Sequence, residues 1–230
     1  TMKNISFIFI LLFCSFLMGS AYAEDVSGDA DPISTDNNNQ QVFTANDTSL
    51  TITNSATLTR TGQNGININA KTNGTVTVDS GSTVTSTSHN TIQGKNQSGL
   101  TVTNSGTINA GGSKAINLLN ATNSIITNNT GGIIKSNTNT ITVTATNDND
   151  ANNVTINNSG EIYAYSTDPA ADSAAIKSEA DTDNITIINN SGGYIHSNNG
   201  NSSVQQGSTV FISSLSNATL TNSGTIENKA

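Results

Sequence analysis

The nine residues "LTVTNSGTI" at 100–108 recur as "VTINNSGEI" at 154–162 and as "ATLTNSGTI" at 218–226. In each copy, apolar and polar residues alternate up to an Asn-Ser-Gly segment, and a second short stretch then ends on Ile. Alternation with a period of two is typical of a strand with one buried face, and Val, Ile and Thr favour strands. Each copy therefore predicts a strand, a tight corner and a second strand.

More divergent copies extend this repeat over most of the chain. Seven copies align, and they end at Leu58, Val84, Ile108, Ile133, Ile162, Ile195 and Ile226. A third apolar segment, such as "GININA" at 65–70, follows most copies. Self-similarity at this period indicates a solenoid, in which each repeat covers the apolar residues of the previous one. We predict an all-β fold: a single-stranded right-handed parallel β-helix of about six coils, with 24–33 residues and three short strands per coil.

The alignment also predicts how neighbouring coils contact each other. One inward column would contain Leu50, Val76, Leu100, Val154, Ile185 and Ala218. The Asn and Gly of the corners are expected to adopt left-handed backbone, and the Asn amides to form a hydrogen-bonded ladder from coil to coil. At about 4.8 Å per coil, the rod would be on the order of 30 Å long.

The N-terminus has the features of an export signal. Lys3 precedes an apolar stretch at 5–18 and then Ala21-Tyr22-Ala23, which predicts a secretory signal peptide at 1–23 that is cleaved before Glu24. The apolar stretch is shorter than the ~20 residues that span a bilayer. Residues 24–48 are predicted to form a flexible leader or a partial N-terminal cap, and residues 49–230 the β-helix.

The mature chain would be acidic and free of cysteine. The one cysteine, Cys14, lies in the signal peptide, so stability must come from packing and hydrogen bonds rather than disulfides. The whole chain has 8 basic and 16 acidic residues; without Lys3 the basic count is 7 and the net charge is −9. This charge disfavours nucleic acid as a partner.

The signal peptide, the cysteine-free chain and the recurring "TNSGTI" and "NNSGEI" phrases of residues 50–230 resemble the passenger domains of Gram-negative autotransporters, the type V secretion proteins. The resemblance implies export through the Sec machinery and a C-terminal β-barrel translocator in the full-length parent. The chain holds no such barrel and stops at "TIENKA", in mid-coil. We therefore expect an N-terminal fragment or an interrupted gene. The expected location is the cell surface or the medium for the parent, and the periplasm for the fragment.

Catalytic patterns are absent from the sequence. No HExxH, GxSxG or GxxxxGK segment occurs, and His89 and His196 are expected to be solvent-exposed loop residues. β-Helical polysaccharide hydrolases and lyases use carboxylates on neighbouring coils, but the strand phrases contain only Asp79 and Glu161, at non-equivalent places. Loop acids such as those of "DNDANN" at 148–153 are predicted to be solvated rather than to bind calcium.

We therefore predict a protein without enzymatic activity, catalytic residues, cofactor or metal site. The favoured function is an adhesin-type rod whose partner is a host-cell or matrix surface, or another copy of the chain. A polysaccharide hydrolase or lyase of the same solenoid class is the alternative. A minor alternative is ice binding through outward threonine pairs interrupted at Asp79, Asn157 and Ile188; these pairs would be Thr51/Thr53, Thr101/Thr103 and Thr219/Thr221.

The later coils contain extra residues, chiefly at 163–175 and 196–207. Solenoids commonly place such insertions on one face, often the binding face. Tyr163, Tyr165 and Tyr194 lie at the bases of these segments in a chain that is poor in aromatics. Surface tyrosines can anchor a partner, so these three are the candidate partner-binding residues; covering the ends of the core is their other possible role.

Overall fold

A computed structural model describes residues 23–146, 151–166, 173–198 and 208–229. All regular elements in these ranges are β-strands, and strands of neighbouring coils pair in parallel in three sheets. The predicted parallel β-helix with three strands per coil is therefore confirmed; its right-handed sense stays a prediction. No helix capable of crossing a membrane occurs in these ranges. The predicted signal peptide, apart from Ala23, lies outside them.

The three sheets collect equivalent strands of successive coils. Sheet 1 consists of β3 (Ser49–Ile52), β6 (Thr75–Val78), β9 (Thr101–Asn104), β12 (Ile125–Asn128), β16 (Thr155–Asn158), β19 (Thr186–Asn189) and β22 (Thr219–Asn222). Sheet 2 consists of β4 (Thr57–Arg60), β7 (Thr83–Ser86), β10 (Thr107–Ala110), β13 (Ile133–Ser136), β17 (Glu161–Ala164), β20 (Tyr194–Ser197) and β23 (Thr225–Asn228). Sheet 3 consists of β1 (Ala23–Val26), β2 (Gln40–Phe43), β5 (Ile66–Asn69), β8 (Ile92–Lys95), β11 (Ile116–Leu119), β14 (Ile141–Thr144), β15 (Ala151–Asn152), β18 (Ile176–Asp183) and β21 (Val210–Ser216).

Residues 23–46 add a further, less regular coil below the first phrase. Strand β1 pairs with β2, and β2 pairs with β5. Isolated bridges join Asp29 to Ser49 and Ile33 to Ile52. Val26 and Phe43 are buried in the common core. Within residues 24–48, the segment therefore contributes strands and buried side chains to the stack.

The inward column of sheet 1 differs from the predicted one. The residues that stack are Leu50, Val76, Val102, Ile126, Ile156, Ile187 and Leu220. Leu100 was predicted to follow Val76, but it lies at the preceding inward position, two residues earlier. A shift of two residues leaves the same side chains inward, so the alternation could not distinguish the two registers.

Sheet 2 contains a second register error. Ile134, and not Ile133, pairs with Ile108 and Ile162 in the inward column. Ile133 points outward and pairs with Thr107 and Glu161. Two adjacent isoleucines fit an apolar column equally well in a sequence alignment, and the length of the preceding corner decides between them.

The Asn-Ser-Gly corners require glycine for a reason other than the predicted one. No residue of Asn104-Ser105-Gly106 has a positive φ. A Cβ on Gly106 would lie 2.3 Å from the carbonyl oxygen of Ser82 and 2.4 Å from that of Asp79. The glycine therefore allows the backbone of the preceding coil to approach closely.

The predicted left-handed backbone does occur in the longer corners between sheets 1 and 2, at Asn54, Ser55, Gly81, Gly131 and Gly192. It also recurs where sheet 3 leads back to sheet 1. The residue two positions before each sheet 1 strand has a positive φ; these residues are Asp47, Asn73, Gly99, Asn123, Asn153, Asn184 and Asn217. Asn, Asp and Gly tolerate this conformation best among the amino acids. The Asn that recurs at this position in five of the seven coils is therefore a corner residue.

The predicted asparagine ladder is confirmed inside the corners between sheets 1 and 2. The Nδ2 of Asn104, Asn128, Asn158 and Asn189 each donates to the Oδ1 of the next member, ending at Asn222, over 2.8–2.9 Å. The first four side chains are buried. In the earlier coils Ile52 and Val78 fill this column, so the Oδ1 of Asn104 has no partner.

Candidate partner-binding site

The outer face of sheet 2 changes in chemistry along the stack. Its early strands β4, β7 and β10 present Thr and Asn outward. In the later strands the register places Lys135 beside Tyr163, Tyr163 beside His196, and Glu161 beside Tyr194. We call Glu161, Tyr163, Tyr165, Tyr194 and His196 the tyrosine–histidine cluster.

His196 is the centre of this cluster. Its ring stacks on Tyr163 at a centroid distance of 4.7 Å and an angle of 6°, and on Tyr194 at 4.3 Å and 26°. The two rings leave only 4% of His196 exposed. The prediction of a solvent-exposed loop residue was therefore wrong for His196, because it lies on β20 with aromatic neighbours; His89 is exposed.

A carboxylate lies against the buried imidazole. The Nε2 atom of His196 is 2.8 Å from Oε1 of Glu161, and Nδ1 has no hydrogen-bond partner. A proton on Nε2 satisfies this contact, and a doubly protonated ring would turn it into an ion pair. Glu161 is 36% exposed, so one of its faces remains available to a partner.

Tyr194 belongs to a second polar pair. Its hydroxyl donates to Oε2 of Glu227, and the Nζ of Lys229 lies 4.8 Å from its ring centroid. The pKa of the Lys229 ammonium is raised, chiefly by a hydrogen bond with the Tyr194 hydroxyl. The negative charge of Glu227 adds to this effect. Both neighbours restrict the orientation of the ring.

Tyr165 ties its coil to a coil two turns earlier. Its hydroxyl contacts the Asn109 Oδ1 at 3.2 Å and donates to the carbonyl oxygen of Ala110 at 3.1 Å, both on β10. Its ring lies 5.9 Å from that of Tyr163. Burial raises the pKa of the Tyr165 phenol, and Tyr163 adds to the effect. Tyr165 therefore stabilises the stack as well as the cluster.

A shallow groove runs beside the cluster where sheet 1 turns into sheet 2. Its lining includes Gly131, Gly132, Ile133, Gly160, Glu161 and Tyr194. Because four of the lining residues are glycines, the backbone is accessible between the side chains of Glu161 and Tyr194. This arrangement offers a carboxylate and a phenol to hydrogen-bond donors such as sugar hydroxyls or basic side chains.

The insertions emerge next to the cluster. Connections of five residues join β4 to β5 and β7 to β8, whereas 165–175 join β17 to β18 and 198–209 join β20 to β21. Both long connections follow strands that carry the cluster. Residues 167–172 and 199–207 lie outside the described residues, as do Asp148 and Asp150.

The structure brings Tyr163, Tyr165 and Tyr194 together; their role in binding a partner stays a prediction. Sequence reasoning missed His196 and Glu161, although aligning the phrases ending at Ile162 and Ile195 places His196 beside Tyr163. Within the described ranges, no three His, Asp or Glu side chains are arranged to hold a metal ion. No protein-family model, no curated protein and no solved structure matches the chain.

Proposed function

We propose that this chain is a non-enzymatic rod of an exported protein, similar to an autotransporter passenger domain, and that it binds a host-cell or matrix surface or another copy. The observation that carries the proposal is the position of the tyrosine–histidine cluster. It contains every tyrosine of the mature chain, and it lies on the coils with the long connections. The other coils repeat with little variation.

The contacts within the cluster favour a role in partner binding over the alternative role, in which the tyrosines only cover the ends of the core. Tyr is enriched in the contact surfaces of proteins, where it provides a large area at a low entropic cost. Stacking on His196 and the bond from Tyr194 to Glu227 hold the rings in place before a partner arrives. Such preorganisation lowers the entropy lost on binding.

The test uses residues 24–230, labelled and applied to host cells, to immobilised matrix proteins and to an immobilised second copy. Tyr194→Ala should weaken saturable binding by roughly tenfold or more, since a central tyrosine anchor contributes ~2 kcal/mol. Thr107→Ala is the matched control, because Thr107 occupies the same outward column of sheet 2 on an early coil. Equal binding by both variants would contradict the proposed site.

Export is tested separately. Residues 1–23 fused to a reporter enzyme that is active only outside the cytoplasm should give activity in a Gram-negative host. Lys3→Glu with an Asp inserted in the apolar stretch should abolish it, because both changes remove features that a signal peptide needs. A reporter that stays inactive with the native segment would contradict export.

A polysaccharide hydrolase or lyase is the second candidate, and the Glu161–His196 pair beside the glycine groove favours it. A carboxylate and an imidazole in contact can transfer a proton to or from a substrate. The test is a panel of polysaccharides assayed for new reducing ends and for unsaturated products. If the protein degrades a polysaccharide, and Glu161→Gln abolishes this turnover without weakening polysaccharide binding, the enzymatic function would replace the adhesive one as the proposal.

A further inference from the structure

Sheet 1 presents an outer face without any ionisable group. We call it the threonine face; it consists of Ser49, Thr51, Thr75, Thr77, Thr101, Thr103, Ile125, Thr127, Thr155, Asn157, Thr186, Ile188, Thr219 and Thr221. None of these side chains is buried. An uncharged face of this length is unusual in a mature chain with a net charge of −9.

The register makes this face more regular than the sequence indicated. Thr53 and Asp79 lie beyond the ends of β3 and β6, so Asp79 does not interrupt the array. Thr51, Thr77, Thr103 and Thr127 follow one another in a single column. No register shift occurs in any strand pair of this sheet.

The hydroxyl groups therefore form a two-dimensional lattice. Neighbouring coils place them ~4.8 Å apart, and alternate residues of one strand place them roughly 6.7 Å apart. Ile125, Asn157 and Ile188 interrupt the hydroxyls, and the β-branched shape of the two isoleucines resembles that of threonine. Threonine methyl groups lie between the hydroxyls, so the parts of the surface that do not hydrogen-bond to water are apolar.

These hydroxyls have no partner within the described part of the chain. Elsewhere, threonine hydroxyls bond to the protein: Thr91 donates to the carbonyl of Asn109, Thr122 to Ser98 and Thr140 to the carbonyl of Tyr163. On the threonine face no such bond occurs. These hydroxyls are therefore free to hydrogen-bond to water, at spacings that the backbone sets.

The dimensions disfavour a protein as the occupant. Seven strands about 4.8 Å apart and a width of roughly 10 Å give an area on the order of 300 Å². A stable protein interface needs about 800 Å² per partner and is enriched in aromatic residues and Arg, which this face lacks. Ice requires neither a minimum contact area nor aromatic residues, and its regular structure matches a regular lattice of hydroxyl and methyl groups.

We propose that the threonine face binds ice, through water molecules held at repeats close to those of the ice lattice. The binding is independent of the tyrosine–histidine cluster, which lies on sheet 2. Such a face would give the protein a second activity that needs neither a pocket nor a charged group.

The test measures thermal hysteresis and inhibition of ice recrystallisation by residues 24–230. Both activities are expected in the native protein and should be lost in Thr103→Lys, because a long charged side chain at the centre of the face separates it from a flat surface. Thr85→Lys is the matched control: Thr85 is an outward, half-buried threonine of β7 on sheet 2, and this variant should keep both activities.

Three outcomes would overturn the proposal. One is absence of both activities in a folded native protein, verified by circular dichroism. Another is an equal loss in Thr103→Lys and Thr85→Lys, which would show that the threonine face is not the site. The third is a concentration-dependent dimer that Thr103→Lys dissociates, which would identify a second copy as the occupant.

Discussion

The individual inward residues of the stack carry most of its stability. Ile156 is buried between Ile126 and Ile187, which occupy the same column one coil below and one coil above. A single inward residue therefore contacts three coils. Neighbouring coils thus supply much of the cover for such a side chain, in a stretch of chain, residues 24–230, that contains no cysteine and few aromatic residues.

We predict that Ile156→Ala lowers the free energy of unfolding by roughly 2–5 kcal/mol, because it leaves a cavity in a packed column. Ile156→Asp should prevent folding, since a buried carboxylate at this position has no partner. Urea unfolding followed by circular dichroism measures both effects. Thr155→Ala, at the adjacent outward position, is the control and should change stability by less than about 1 kcal/mol; a folded Ile156→Asp variant would contradict the column.

Tyr165 should make the protein less stable at alkaline pH. Burial raises its pKa above the usual value of about 10, so the folded state holds the phenolic proton more tightly than the unfolded state does. The stabilisation is complete below the unfolded pKa, and it is lost as the pH rises through the folded pKa. The phenolate would also lose the donated bond to Ala110.

Urea unfolding of the native protein and Tyr165→Phe, at neutral pH and at pH values above about 10, checks this prediction. At neutral pH the substitution should cost roughly 0.5–1.5 kcal/mol through the lost hydrogen bond. The difference between the two proteins should shrink as the pH rises. A difference that is constant over this range would show that Tyr165 does not carry the effect.

At the scale of the elements, the corners determine which strands can stack. Asn158 donates to Asn189 and accepts from Asn128, whereas Asn104 has a ladder partner on one side only. The corner asparagines therefore differ in importance according to their place in the ladder. Sequence alone shows them as equivalent.

We predict that Asn158→Val destabilises the protein more than Asn104→Val does. The first change leaves Oδ1 of the buried Asn189 without its ladder donor, at roughly 1–3 kcal/mol. It also removes the ladder acceptor of Asn128, whose Nδ2 keeps its bonds to the carbonyls of Gly132 and Glu161. The second change likewise leaves Oδ1 of Asn128 without its ladder donor. However, it also removes an Oδ1 that has no partner and places a valine above Val78, which offsets part of the loss. Thermal unfolding of both variants measures the difference in stability. An equal loss of stability would mean that the ladder contributes little.

The strand content was predictable because inward and outward residues alternate, whereas the register depends on how many residues each corner contains. Leu100 and Val102 fit the position above Val76 equally well until the shorter corner at Gly106 is known. The cluster was predictable only in part. Tyrosines are conspicuous in this composition, but burial of His196 depends on Tyr163 of the preceding coil, which a sequence read linearly does not bring next to it.

At the scale of the whole molecule, one repeated phrase yields two faces of different chemistry. Sheet 1 stays uncharged over seven strands, while sheet 2 changes from threonine to aromatic and ionic residues after β10. The inward columns that begin at Leu50 and Leu58 stay apolar beneath both faces. Outward residues and connections can therefore vary at little cost, and function can differ between faces of one rod.

The long connection between β17 and β18 provides the last prediction. Deleting residues 166–172 leaves Tyr165, Ser173, Ala174 and Ala175 between these strands, the same number of residues that join β13 to β14 in the preceding coil. The backbone N–H of Ala174 keeps its bond to Asn139, and its carbonyl still accepts from Thr140. The coil should therefore close, and a shorter loop costs slightly less entropy on closure.

The shortened protein should unfold cooperatively at nearly the native temperature but bind the proposed surface partner more weakly, because residues beside the tyrosine–histidine cluster are gone. Removing residues 88–91 from the five-residue connection between β7 and β8 is the control. That deletion leaves a single residue to turn the chain between two strands, so the coil cannot close and the fold should be lost. The prediction is contradicted if deleting 166–172 abolishes folding while other loop variants still bind the partner. The insertion would then be a structural part of the stack, and the binding face would have to lie on another sheet.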